Sequence, residues 1–166
     1  CKMFDINKMI SMQLKSTDYS ASFHAIAFEP IVDNINILHH IVIYTCQSPK
    51  DVEFKEEMFD CSNQHPDCNQ ITITWVVGQK GYKIPEEAGL LCGTKESHFV
   101  VLETHYTNGA GLKNQYDSSG MRVFFTSRLR KYDIGLMAFG GHYAGLKLEP
   151  AKKSVLHTTF CPADCT

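Results

Sequence analysis

No run of the sequence approaches the roughly 20 consecutive apolar residues that carry a helix across a bilayer, so no helical span is expected. An excess of positive charge is also missing. Lys and Arg total 16 against 18 Asp and Glu, a net charge of -2, which argues against the basic face that a nucleic-acid binder needs. No N-x-S/T sequon occurs, and no charged-then-apolar leader is visible at the start. A chain that opens on Cys1 reads as a mature or excised piece. Internal repeats, low-complexity tracts and linkers are absent, so the expectation is one domain spanning residues 1–166.

Several chemistries drop out in the same way. Cys61-x6-Cys68 and Cys161-x3-Cys165 lack the paired Cys-x2-Cys spacing of structural zinc. Gly109-x-Gly111 and Gly140-Gly141 have no phosphate-loop lysine in register and read as turns. Glu86-Glu87 follows Pro85 and reads as a solvated turn rather than a pair of catalytic carboxylates. The Arg128–Lys131 run is expected to be solvated surface.

What is present is enough to build a core: 43% hydrophobic and 11% aromatic residues. Helical periodicity is scarce and is confined to Asp51–Phe59. Strand patterns rich in β-branched and aromatic residues recur at Ile35–Thr45, Ile71–Val77, His98–Tyr106, Gly120–Arg128 and Lys153–Phe160. Two more fit within Cys1–Phe28, with a break at Ser16–Ser20. Short strands at near-regular spacing predict an all-β fold, an antiparallel β-sandwich or jelly roll. Seven cysteines are too many for a reducing cytosol, and an odd number leaves at least one sulfur free or bonded outside the chain. The expected compartment is extracellular or secretory.

Eight histidines include one unusual pair, His39-His40, leading into the apolar run Ile41–Tyr44. Neutral imidazole is the commonest metal ligand, but adjacent strand residues point to opposite faces. Two readings stay open for the pair. Either a bulge or strand end turns both rings toward one ion, or both are half-buried and hydrogen-bonded to backbone. His105, in a second strand pattern, is the best third donor. Three imidazoles suit copper, or zinc with an open position. Glu103 shares a strand face with His105 and is either a partner to the ligands or an exposed edge residue. His65 reads as a loop residue, and His24, His98, His142 and His157 as structural.

The ordered set His39–Cys46, Pro85–Leu90, Leu102–Tyr106, Asp117–Arg122, Ser127–Tyr132 and Phe160–Cys165 resembles the copper type II, ascorbate-dependent monooxygenases, in their dopamine β-hydroxylase-like branch. The resemblance runs over essentially the whole chain. It implies the first of two consecutive jelly-roll domains, holding one electron-supplying copper through His39, His40 and His105, with ascorbate as electron donor in the full-length family. It also implies bridges Cys1–Cys61 and Cys46–Cys68, clamping the loop after the histidine pair. Cys161 and Cys165 match cysteines that reach toward a second domain, so here they are free, paired with each other or joined to another chain. Cys92 matches no family cysteine and is expected to be a small buried hydrophobe.

One departure outweighs these matches. In the family, oxygen and substrate bind at a second copper, held by a His-x-His pair and a Met, and no His-x-His occurs here. The resemblance therefore implies a secretory copper domain unable to hydroxylate on its own. The rival expectation is a solitary secreted β-sandwich module with a binding or signalling role, with or without metal.

Overall fold

In a computed structural model of the chain, the described residues are 1–6, 9, 22–46, 57–94, 99–136, 149–158 and 160. The chain divides into two units, Cys1–Gly135 and Leu136–Thr166, and among the described residues the strands lie in the first. The strands are β1 (Lys2–Asp5), β2 (Phe23–Ile31), β3 (Leu38–Thr45), β4 (Gln70–Val76), β5 (Tyr82–Lys83), β6 (Ala88–Cys92), β7 (Phe99–Tyr106), β8 (Gly120–Thr126) and β9 (Tyr132–Asp133). One sheet has the order β1-β7-β3-β4. In the other, β2 is flanked by β8 along one side and by β5 and β6 along the other, and β9 adds to β6. All pairings are antiparallel except the two-residue contact of β6 with β9. The fold is the all-β antiparallel sandwich that the strand patterns predict.

The core follows from those patterns. β3 is central to its sheet, which explains why its Leu38, Ile41, Val42 and Ile43 are all buried rather than alternating with polar residues. Phe23, Ala25 and Phe28 of β2 form an apolar cluster with Ile6, Ile84 and Cys92, and Ile73 and Val100 of the opposite sheet pack against it. A second cluster gathers Met3, Val101, Cys46 and Cys68 beside the disulfides. Sulfur bonds join Cys1 to Cys61 and Cys46 to Cys68, and Cys92 is free and buried. Each bridge restricts the unfolded chain, a contribution of about 2–4 kcal/mol.

Fully buried His24 is a structural residue with defined partners. Its Nε2 lies 2.7 Å from Asp133 Oδ1, and its Nδ1 accepts the Arg130 backbone N–H at 2.9 Å. That acceptance assigns the remaining proton to Nε2, which donates to Asp133. The Arg130 guanidinium donates to the carbonyls of Ile84, Pro85 and Ala88, so one buried histidine and one arginine fasten residues 130–133 to β2 and β6. His65 caps a 3₁₀ turn, Pro66–Cys68, by accepting from Asp67 N. His157 is exposed.

Two expectations need correction or restriction. Lys153–Phe160 is not a strand: its described residues are exposed throughout and pair with no neighbour strand. Its β-branched content had no half-buried surface to fit, and that fit is what β-propensity measures. The helical expectation at Asp51–Phe59 lies outside the described residues except for its last three, which form no helix. The Ser16–Ser20 break, Gly140-Gly141, His98, His142, Cys161 and Cys165 also lie outside them. Glu86 and Glu87 do occupy a turn.

Candidate metal centre

The histidine pair sits where β3 departs from regular pairing. Leu38 lies opposite Tyr106 and His40 opposite His105, so β3 advances two residues while β7 advances one. His39 is the extra residue of this β-bulge. A bulge re-aims a side chain that regular pleating would send to the far face. His39 Nδ1 lies 3.0 Å from His40 Nδ1. Ring centroids are 5.1 Å apart for His39 and His40, 5.4 Å for His39 and His105, and 4.7 Å for His40 and His105, whose rings stack.

These distances bear on whether the donors fit an ion. With metal–nitrogen bonds of about 2.0–2.1 Å, nitrogens separated as His39 and His40 are would subtend about 95° at a shared cation. That suits the N-rich chemistry of copper or zinc. His39 and His105 are exposed, and His40 is half-buried, so solvent reaches the cluster from one side.

Glu103 lies behind the rings. It stands opposite Val42 in the ladder, which brings His40 and Tyr44, two residues to either side, within diagonal reach. His40 Nε2 is 3.6 Å from Glu103 Oε1, an ion-pair distance longer than a hydrogen bond. The Tyr44 hydroxyl donates to Glu103 Oε2 at 3.0 Å. Burial, the Glu103 charge and that hydrogen bond push the Tyr44 phenol up to about 12. Donor atoms of His40, Glu103 and His105 lie within 4.8 Å of one another, and His39 joins this group through His40. The Cys1 and Cys61 sulfurs, bonded to each other, approach Glu103 within the same limit. The structure thus brings His39, His40, His105 and Glu103 into one neighbourhood, with one disulfide against it.

Sequence reasoning missed two supports. One is Tyr44, whose spacing four residues after His40 on the same strand face was a usable signal. The other is Asp117, which accepts from Asn34 N (2.9 Å), Ser119 Oγ (2.6 Å), Tyr106 Oη (2.9 Å) and Ser119 N (3.0 Å). The Asp117-Ser118-Ser119-Gly120 stretch signalled a turn, but nothing local pointed to its bonds with Asn34 and Tyr106.

Residues 6–113 match the family model described as copper type II ascorbate-dependent monooxygenase, N-terminal domain. The chain belongs to this family. Dopamine beta-hydroxylase of Canis lupus familiaris is 32% identical over 151 residues, covering 86% of this chain and 24% of that protein. The Homo sapiens dopamine beta-hydroxylase is 32% identical over 152 residues, with 86% and 24% covered. DBH-like monooxygenase protein 2 of Mus musculus is 34% identical over 152 residues, with 87% and 24% covered. The chain therefore spans about a quarter of the length of these relatives. Within this copper monooxygenase family, the matched stretch takes in the bulge, the Cys46–Cys68 bridge and the whole of β7, while Cys1 of the other bridge precedes it.

Proposed function

We propose that this chain, over residues 1–166, is a copper-holding N-terminal domain of a dopamine β-hydroxylase-like monooxygenase, with His39, His40 and His105 as the ligands of one ion. The observation that carries the reading is the bulge at His39, which faces two imidazole nitrogens toward each other 3.0 Å apart, beside His105. Three neutral nitrogen donors would hold copper in either oxidation state, and the bound ion would supply one-electron chemistry.

The residues around the ligands have definite tasks in this reading. Glu103 places its charge 3.6 Å from His40 Nε2, on the side of the ring away from Nδ1, so that Nδ1 is the nitrogen offered to the metal. Tyr44 holds the other carboxylate oxygen. Exposure of His39 and His105 leaves the site open to a small reductant, and ascorbate is the donor proposed from the family. Hydroxylation is assigned to a second copper site, contributed by another domain or another chain, with Cys161 and Cys165 as the proposed links. Disulfides persist in oxidising compartments, which supports a secreted or secretory-vesicle location.

Copper titration tests this. His39→Ala, His40→Ala and His105→Ala each lower affinity at least tenfold if the three are ligands. Unchanged affinity in all three would favour a solitary secreted module with a binding or signalling role. A second reading rests on the mutual approach of His40, Glu103 and His105. In it Glu103 replaces His39 as a donor, an arrangement that suits zinc. Metal analysis after purification without added metal, with His39→Ala against Glu103→Gln, separates the two.

A further inference from the structure

Between the two sheets lies a cavity of about 510 Å³. Phe28 and Phe125 wall it on one side, and Ile43 and Leu102 on the other. Met9 and Ile31 also line it and are 48% and 44% exposed, so the cavity reaches solvent there. Its volume falls in the range of small-molecule sites, roughly 300–1,000 Å³.

Most polar side chains on this wall are already engaged. The Thr45 and Thr72 hydroxyls lie 2.6 Å from each other, and the Cys92 thiol points to Phe23 O at 3.4 Å. Ser119 Oγ donates to Asp117, and Arg122, the one cation on the wall among the described residues, is paired with Glu29 at 2.9 Å. Water entering from the mouth would find few partners, and displacing it from so apolar a wall by an apolar ligand is favourable.

We propose that the cavity is a binding site for one uncharged aliphatic chain, entering between Met9 and Ile31. An uncharged occupant follows from the wall: among the described residues no cation is left free to hold an anionic head group. The site lies between the sheets, so its occupancy does not depend on the histidine cluster.

Fluorescence titration of the full chain with cis-parinaric acid and with its methyl ester tests the proposal. Saturable binding of one ester per chain is expected, with the acid binding no more than about threefold differently. Ala25→Leu and Val123→Phe project added volume into the cavity, and each should weaken ester binding at least tenfold while raising Tm. Should either variant fail to fold, Cys92 reports on the wild type, since bound ester slows its alkylation by a small maleimide at least fivefold. Absence of saturable binding overturns the proposal, as does unchanged Cys92 reactivity; both would mean that the chain itself fills the space. Tenfold preference for the acid would overturn the uncharged class.

Discussion

Tyr106, the residue after His105, donates its hydroxyl to Asp117 at 2.9 Å, although its backbone lies opposite Leu38 at the bulge. The same carboxylate takes the backbone N–H of Asn34, in the turn that leads into β3. One side chain therefore ties together the ends of the two strands that carry the histidines. Asp117→Ala leaves these donors without their acceptor and should cost about 1–3 kcal/mol. Urea unfolding measures it, and a midpoint equal to wild type would show that the clamp contributes nothing.

The same carboxylate sets an acid limb. Burial pushes Asp117 up, but hydrogen bonds from Ser119 Oγ, Asn34 N, Tyr106 Oη and Ser119 N together hold it below the usual carboxylate range. A folded-state value below the unfolded one means that the stabilisation is present above the ordinary value of about 3.9 and is lost as pH falls through the folded value. Thermal unfolding between pH 5 and 2 should fall more steeply for wild type than for Asp117→Asn.

Gly89 has no room for a side chain. A Cβ built there would collide with the imidazole of buried His24. Gly89→Ala must displace a ring fixed by Asp133 and Arg130, an overpacking that costs about 1–3 kcal/mol. A wild-type Tm would contradict this.

The Cys46–Cys68 bridge lies at the end of β3, with both residues 0% exposed. Cys46→Ser with Cys68→Ser should cost about 2–5 kcal/mol, whereas the half-exposed Cys1–Cys61 pair should be the first reduced by a dithiol because thiolate attack requires access. Alkylation mapped by mass spectrometry gives the order of reduction.

Glu103→Gln keeps the side-chain shape and removes the charge beside His40. Partners of metal ligands typically contribute 10–100-fold in affinity, so a loss of that size in copper binding is expected while far-UV circular dichroism is unchanged. Equal copper affinity would assign Glu103 to Tyr44 alone.

Much of this was legible residue by residue. The strand patterns around Ile41–Tyr44, Ile71–Val76 and Val100–Tyr106 carry their own periodicity and β-branched content, and each forms a strand. β5 and β9, two residues each, were not legible because they exist only where β2 and β6 offer an edge. Lys153–Phe160 shows the converse: strand-like composition without a partner stays irregular.

The sequence by itself determined the all-β class and the presence of the adjacent histidine pair, because composition and period are local properties of the chain. It left open whether His39 and His40 face one way or two. Only tertiary pairing decided that: a one-residue mismatch between β3 and β7 is a relation between segments more than 60 residues apart, and no local pattern encodes it.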